Sequence, residues 1–480
     1  MTSVRKATVL ALAQRYCVFV VQLLTSVVLA RLLTPSETGV FSLAMALVGI
    51  AQMLRDFGIG EYVVKERELS REQLRSVLGA SILLSWAIAL CLVGAASPVA
   101  AYYKTPGVSN VLMVLALNFV LLPVGSTAVA VLNKELAFKE LFIVNVSASL
   151  VGAGTCVFLA WSGHGFMSLA WSSLVATCTT VLVLALLRPS LTFMLPSFKG
   201  LVVIGRFGGA LTIGRMFDQA ARRVPDFVIA SSLGFHSLGL NSKAGTLLES
   251  FHEFFASAVS RVATPAFARQ RHADTDSKAP YLFAIELLSI FPFVFFGLMI
   301  LLADPLIRLL FGPAWVEVVP LLQIVSLGGI ISGPYMLAPP LLTAHGRVGA
   351  LLRIQIPGAV VMIAAVVVAA PHGLVMIAFA GLGAHGVKIA LIHRELARCA
   401  RLNAAELAAA ISKSALIGLL SVAAAAAVLP LDDGTLRGAV TCLGIAGPLT
   451  AIIALVGVMV LRHPLADELR SAWRYRWKAG

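Results

Sequence analysis

Long apolar runs, separated by short polar breaks, recur along the whole sequence. A bilayer core roughly 30 Å thick is crossed by about 20 helical residues, which is the typical length of these runs. The runs are continuous rather than alternating, so they suit helices and not the strands of a barrel. The 480-residue chain is 59% hydrophobic and only 12% charged, whereas soluble proteins carry about 25% charged residues. The sequence therefore predicts an all-α, polytopic membrane protein.

About fourteen of these runs are predicted membrane-spanning helices. They lie at residues 7–30, 38–57, 75–97, 109–131, 141–161, 167–187, 207–231, 240–262, 281–303, 318–342, 351–370, 373–393, 408–429 and 438–461. Arg5 and Lys6 precede the first run, and no small-residue cleavage site follows early. We therefore expect a retained helix rather than a signal peptide.

Lysine and arginine are distributed unequally over the polar breaks. With the N-terminus inside, most of them fall on the cytoplasmic side, and the opposite breaks hold only Arg31, Lys104, Arg308 and Arg437. Positively charged loops stay cytoplasmic, so we predict a multi-pass protein of the cell inner membrane with both termini in the cytoplasm. This placement explains the net charge of +14 without a nucleic-acid partner. The basic, aromatic segment 470–480 suits anchoring on membrane lipids, or equally a solvated tail.

The sequence resembles itself at an offset of 200 residues. The identical pairs are Arg15/Arg215, Val28/Val228, Ala30/Ala230, Leu33/Leu233, Gly39/Gly239, Ser42/Ser242 and Ala44/Ala244. A repeat of six helices in the same sense predicts two lobes related by an axis along the membrane normal, with a substrate site between them. The predicted parts are residues 1–199, residues 200–405, and residues 406–480 with two additional helices and a basic cytoplasmic tail.

Charged residues are concentrated in the seventh and eighth predicted spans. They include Arg215, Asp218, Arg222, Arg223, Asp226, Lys243, Glu249 and Glu253. A charge at mid-membrane costs about 2.5–3.5 kcal/mol on insertion scales, so such groups normally face a partner or an internal cavity. The spacing allows Arg215 to pair with Asp218, and Arg222 with Asp218 or Asp226, while Arg223 lies to one side of the helix.

This cluster has two readings. In the first it is an ion-pair ladder that only satisfies polar groups. In the second it is an anion-binding surface, because the cations outnumber the carboxylates on span seven and Arg15 and Lys243 add to them. Guanidinium groups match phosphate oxygens with paired donors, so the second reading predicts a phosphate-bearing substrate.

The carboxylates of these spans are candidates for ion coupling. Glu249 and Glu253 stand one helical turn apart, and adjacent carboxylates at low dielectric can take up H⁺ or hold Na⁺. The alternative is that they neutralise nearby cations. No catalytic set, metal-ligand spacing or cofactor motif is predicted: Gly381, Gly383 and Gly386 spell GxGxxG inside an apolar span, where close helix packing explains them better.

Several motifs occur in the order typical of one family. They are Ala30–Phe41 (ARLLTPSETGVF), Asp56–Lys65 (DFGIGEYVVK), Phe207–Ala244 with FGG, DFVIASSLG and LGLNSKA, Thr264–Arg269 (TPAFAR), Phe311–Leu327 (FGPAWVEVVPLLQIVSL) and Leu342–Arg347 (LTAHGR). With them the chain resembles the bacterial polysaccharide flippases, the O-antigen and exopolysaccharide exporters of the multidrug/oligosaccharidyl-lipid/polysaccharide exporter superfamily, and most of all the colanic-acid-exporter-like members.

The resemblance implies a two-lobed transporter that moves an undecaprenyl-diphosphate-linked oligosaccharide to the periplasmic leaflet by alternating access, for lipopolysaccharide or exopolysaccharide synthesis. A polysaccharide polymerase is a possible partner, and an ion gradient the expected energy source. The substrate-binding candidates are Arg15, Arg31, Arg215, Arg222, Arg223 and Lys243, with Arg215 and Arg222 first. The coupling candidates are Asp218, Asp226, Glu249 and Glu253.

Two other classes stay open. A drug or ion exporter of the same superfamily shares the architecture, but its cavity should be acidic. A membrane enzyme acting on lipid-linked sugars needs a carboxylate on the periplasmic side, where Asp304, Glu317, Asp432 and Asp433 are the candidates. We predict a transporter and no enzyme.

Overall fold

The computed structural model describes most of the chain as helices. The described residues are 2–56, 70–198, 219, 221–251, 255, 259, 263, 266–267, 269, 278–467 and 470, and they contain no β-strand. The predicted all-α class is confirmed.

The chain forms two compact units, Met1–Gly239 and Leu240–Gly480. The helices of the first unit are α1 (Thr2–Leu32), α2 (Pro35–Asp56), α3 (Arg71–Tyr102), α4 (Pro106–Lys134), α5 (Phe138–Trp161), α6 (Met167–Leu187), α7 (Pro189–Thr192), α8 (residues 221–232) and the start of α9 (Gly234–Phe251). The second unit contains the rest of α9, then α10 (Lys278–Leu288), α11 (Ile290–Leu301), α12 (Ala303–Leu310), α13 (Val318–Ser332), α14 (Ala338–Ala344), α15 (Val348–Ala369), α16 (Leu374–Ala400), α17 (Ala404–Ala426) and α18 (Leu436–Val460). The predicted lobe boundary at 199/200 lies outside the described residues.

Within the described residues, twelve helical segments are long and apolar enough to cross a membrane. They correspond to the first six and last six predicted spans. The seventh and eighth predicted spans lie partly outside the described residues, so the total of fourteen stays a prediction. Large apolar side chains face outward on these helices, with Leu90 74% and Trp161 75% exposed. Such a surface suits lipid rather than water, and the chain is a multi-pass membrane protein.

Helix starts follow from local sequence. Ser70 caps α3: its hydroxyl accepts from the Gln73 N–H, and Gln73 Oε1 accepts from the Ser70 N–H. Asn403 and Glu406 do the same for α17. At α2, Thr34 and Glu37 form the equivalent box, in which Glu37 Oε2 accepts from the Thr34 N–H at 2.9 Å. These boxes satisfy backbone donors that the first helical turn leaves without partners.

Small residues allow the long helices to approach closely. Gly152 on α5 faces Ala176 on α6, and Gly418 on α17 faces Phe293 on α11. In the first unit α3 packs along α4 and α5 along α6; in the second α11 packs on α17, and α15 on α16. Because lipid gives no hydrophobic drive between helices, such close packing supplies much of their association.

Candidate functional site

The charged residues of α8 form part of the predicted cluster. Arg223 Nη1 lies 3.6 Å from Asp226 Oδ2, a pair three residues apart on the helix. The Arg223 side chain is 34% exposed and that of Asp226 15%. Asp226 therefore contacts the arginine that we expected to lie to one side of the helix. The spacing permits this pair as well as the pair with Arg222.

Helix α2 provides the space for Arg223. A Cβ atom on Gly49 would lie 3.2 Å from Arg223 Nε and 3.1 Å from Gln219 Nε2. The Nε atom of Arg223 is buried and makes no hydrogen bond within the described structure. Arg223 is thus packed against α2 through Nε and Cζ, while its terminal nitrogen Nη1 contacts Asp226.

The other predicted cations of the first unit lie in different surroundings. Arg222 is exposed on α8, Arg15 is half-buried on α1, and Arg31 is exposed in the last turn of α1. Arg215, Asp218 and Glu253 lie outside the described residues. Of the charged groups described on α8, two are guanidinium groups and one is a carboxylate, and Arg222 is the one most open to a ligand.

Lys243, on α9 in the second unit, is 8% exposed. Its Nζ lies 4.8 Å from the ring centroid of Phe311 and 5.2 Å from that of Trp315. Both aromatic side chains are buried, and Gly312 between them has φ +88°. Cation–π attraction strengthens when the pair is desolvated. Sequence reasoning missed these two partners, although Phe311 and Trp315 stand in one quoted motif and Lys243 in another.

Glu249 is exposed on the same helix, six residues after Lys243. The side chain is therefore accessible, as an ion-coupling carboxylate must be. Glu253, the second carboxylate of the predicted ion-coupling pair, lies outside the residues that the structure describes.

A cavity of about 410 Å³ lies within the first unit, where three helix connections meet. It is lined by Ser36, Glu37, Val40, Phe166, Leu233, Gly234, Phe235 and His236. Glu37 is engaged in the capping box of α2. The cavity therefore offers an apolar surface with His236 at its edge, and not the cationic lining that the sequence predicts for a phosphate site.

Three of the carboxylates that a membrane enzyme could use for catalysis, those of Asp304, Asp432 and Asp433, are hydrogen-bonded to neighbouring residues. Asp304 and Asp432 both accept from Arg308 Nη2, the latter at 2.6 Å, and the bond to Asp304 raises the pKa of Arg308. Asp433 accepts from the Thr435 N–H at 2.9 Å and from the Thr435 hydroxyl at 2.6 Å. These bonds hold the pKa of Asp433 below its ordinary value. A carboxyl group that stays ionised near neutral pH is a poor general acid.

Comparison with known proteins gives the family. The family model described as polysaccharide biosynthesis protein matches residues 28–320. Lipopolysaccharide biosynthesis protein WzxC of Escherichia coli (strain K12) is 24% identical over 351 residues, which are 71% of this chain and 70% of that protein. Succinoglycan biosynthesis transport protein ExoT of Rhizobium meliloti (strain 1021) is 26% identical over 336 residues, with 70% and 67% covered.

Among solved structures, the lipid II flippase MurJ in an inward closed conformation superposes with a TM-score of 0.76. The match covers 96% of this chain and 99% of that chain at 13% identity, so it shows a shared fold. These proteins agree with the prediction of a membrane transporter rather than an enzyme. The family match extends over more than half of the sequence, and the chain belongs to this family of polysaccharide biosynthesis proteins, the polysaccharide flippases.

Proposed function

We propose that the chain is a flippase that moves an undecaprenyl-diphosphate-linked oligosaccharide across the inner membrane by alternating access, for O-antigen or exopolysaccharide synthesis. Family membership supports a lipid-linked sugar as substrate. The proposed site rests on one observation: the described part of α8 has two guanidinium groups and one carboxylate. Arg223 contacts that carboxylate, on Asp226, and Arg222 is exposed. Two phosphates of a diphosphate offer oxygen pairs that guanidinium groups bind in a fork geometry.

In this proposal the two arginines of α8 act differently. Arg222 contacts the diphosphate, with Arg15, Arg31 and Arg215 as further positions. Arg223 is a positioning residue, because it packs against Gly49 and contacts Asp226. Lys243 holds the segment with Phe311 and Trp315 in place, since it is buried against these two rings. A drug exporter with a cationic substrate fits less well, because a surplus of positive charge repels such a substrate.

The test replaces Arg222 by Ala and by Lys and measures delivery of lipid-linked oligosaccharide to the periplasmic leaflet at matched membrane level. Arg222→Ala should lower delivery at least tenfold, since one charge-assisted bond is worth about 1.5–3 kcal/mol, and Arg222→Lys should retain part of it. Arg215→Ala and Arg215→Lys are measured in parallel. Arg223→Ala serves as the comparison and should lower the membrane level instead. Normal delivery by all the Arg215 and Arg222 variants would contradict the proposed site.

We further propose that H⁺ or Na⁺ drives transport through carboxylates of the predicted seventh and eighth spans. Glu249 is the best placed of the described candidates because it is exposed, whereas Asp226 contacts Arg223. Asp218 and Glu253 complete the set. Glu249→Gln should abolish the dependence of delivery on one gradient, which is identified by collapsing the proton and sodium gradients separately in vesicles. Unchanged dependence on both gradients would remove Glu249 from the proposal.

Both termini are proposed to lie in the cytoplasm, with a polymerase as a partner on the opposite side. The basic residues at the helix ends support this orientation. Single cysteines in place of Lys104 and Arg437 should react with a membrane-impermeant thiol reagent in intact spheroplasts, and one in place of Arg401 only after lysis. The reverse pattern would invert the orientation.

A further inference from the structure

Arginines at one end of α15 and α16 converge on a buried carboxylate. Glu395 on α16 is 1% exposed and accepts from Arg353 Nε at 3.4 Å and Nη2 at 3.2 Å, and from Arg398 Nη1 at 3.1 Å. The side chains of Arg353 and Arg398 are 58% and 57% exposed. The buried carboxylate therefore binds both guanidinium groups, while more than half of each arginine side chain stays exposed.

Two more arginines extend this group. Arg347, in the turn between α14 and α15, donates from Nη1 to the Arg398 carbonyl oxygen at 3.3 Å. Arg394 is exposed one turn before Arg398 on α16. We call Arg347, Arg353, Arg394, Glu395 and Arg398 the Glu395 cluster. It contains four cations and one carboxylate.

The surplus of positive charge needs a counterion. Like charges four residues apart on a helix, as Arg394 and Arg398 are, repel each other. The C-terminal end of α16 favours cations by about 0.3–1 kcal/mol each, and this offsets part of the repulsion. It does not satisfy the outward-facing N–H donors, of which each guanidinium has five.

The position of the cluster indicates the kind of anion. Arg353 lies near the start of the membrane-length segment Gly349–His372, and Arg398 near the end of Leu374–Ala400. Where these two segments cross the bilayer along their length, both arginines lie at the level of the lipid headgroups. On α15, next to Arg353, the apolar side chains of Leu352, Ile356 and Val360 are 38%, 36% and 58% exposed and follow one face at a spacing of four residues. A phospholipid would cover both surfaces, whereas a soluble anion would cover only the arginines.

We propose that the Glu395 cluster binds the phosphate of an anionic phospholipid, whose acyl chain lies along Leu352, Ile356 and Val360. Basic groups between helix ends are a recurrent site for anionic headgroups, and guanidinium groups bind phosphate with paired bonds. Glu395 orders Arg353 and Arg398 before the lipid arrives, so less side-chain entropy is lost on binding. The lipid is a bound component of the fold and not the transported substrate, so the site is independent of the proposed transport function.

The test titrates the purified full-length protein in neutral detergent with phosphatidylglycerol or phosphatidylcholine and counts bound lipids by native mass spectrometry. The wild type should prefer phosphatidylglycerol. The double variant Arg347→Gln, Arg394→Gln removes two of the three surplus positive charges without leaving Glu395 unpaired. Its affinity for phosphatidylglycerol should fall about fivefold for each arginine removed. Lys104→Gln with Arg437→Gln removes the same net charge from two exposed positions outside the cluster and should leave the preference unchanged.

Two competition arms separate the sources of phosphate. Neither inorganic phosphate nor undecaprenyl phosphate should displace phosphatidylglycerol at equal concentration. Displacement by inorganic phosphate would make the cluster a general anion site, and preferential binding of undecaprenyl phosphate would make it a substrate site. Either result overturns the proposal, as does a double variant that binds phosphatidylglycerol as tightly as the wild type.

Discussion

Gly39 on α2 and Gly239 on α9, which the 200-residue offset aligns, make reciprocal contacts. A Cβ atom on Gly39 would overlap the carbonyl oxygen of Phe235, and one on Gly239 would overlap that of Pro35. Pro35 and Phe235 are also 200 residues apart. The two helix segments therefore approach each other closely at both glycines, and the same-sense repeat stays a prediction.

Alanine at either glycine should weaken this contact. The obstacle is a backbone oxygen rather than a flexible side chain, so we expect Gly39→Ala and Gly239→Ala to cost about 1–3 kcal/mol. The measurement is the thermal unfolding temperature of the purified protein, with transport assayed in parallel. Gly245→Ala on the same helix α9 is the control, because its new Cβ would meet nothing within 4 Å. If all three variants unfold at the same temperature, the close backbone contacts at Gly39 and Gly239 do not limit stability.

Lys243 and Trp315 should be energetically coupled. A desolvated cation–π contact is worth about 2 kcal/mol, so Trp315→Leu should destabilise the wild type more than it destabilises a Lys243→Met background. The double-mutant cycle removes the cost of the smaller core side chain, which is common to both backgrounds. Transport is assayed in parallel: if Lys243→Met keeps both the fold and normal delivery, Lys243 is not required for substrate binding. A coupling energy near zero would reject the pair.

The sequence anticipated the features that depend on local pattern. Twelve of the predicted spans match helices of membrane length, because an apolar run of the right length determines a span by itself. Gly39 and Gly239, which the 200-residue offset aligned, are both restricted by close backbone approach.

The partners of charged residues were less predictable. The spacing did not single out the contact between Arg223 and Asp226, which depends on the space that Gly49 on another helix leaves for the Arg223 side chain. From sequence, Phe311 and Trp315 are ordinary core residues. In the structure α9 places Lys243 Nζ over both of their rings. Such pairs are fixed by packing between distant segments, which residue spacing within one helix does not contain.

Arg308 should contribute more to stability than a surface arginine. Its guanidinium lies between Asp304 and Asp432, and the Asp432 side chain is 8% exposed. Arg308→Met would leave a buried carboxylate beside a second one, and removing one partner of a buried ion pair costs about 3–5 kcal/mol. Arg470→Met is the control, because Arg470 and Asp467 are 62% and 85% exposed and exposed pairs contribute about 0–1 kcal/mol. Similar losses in both variants would contradict this difference. Delivery that survives Asp432→Asn would also speak against the enzyme alternative.

His463 should make stability depend on pH. The side chain is fully buried just beyond α18; its Nδ1 accepts from the Leu465 N–H at 3.2 Å, and its Nε2 lies 2.9 Å from Ser414 Oγ. Because Ser414 Oγ donates to the Glu286 carbonyl oxygen at 2.9 Å, the imidazole is neutral and donates from Nε2. Protonation of Nδ1 would break the bond from Leu465, and burial lowers the pKa of His463.

The sign follows from this lowered pKa. The unfolded chain binds a proton near pH 6.5, and the folded one only at lower pH. The stabilisation is therefore complete above about pH 6.5 and is lost as the pH falls through the folded pKa, by about 1.4 kcal/mol for each unit of lowering. The unfolding temperature of the wild type should fall between pH 7.5 and pH 5, and His463→Gln, which retains a donor for Ser414, should fall less steeply. The nearby charges of Glu286 and Lys413 are the same in both proteins, so the difference in slope belongs to His463. Parallel slopes would show that His463 takes up its proton equally in the folded and unfolded states.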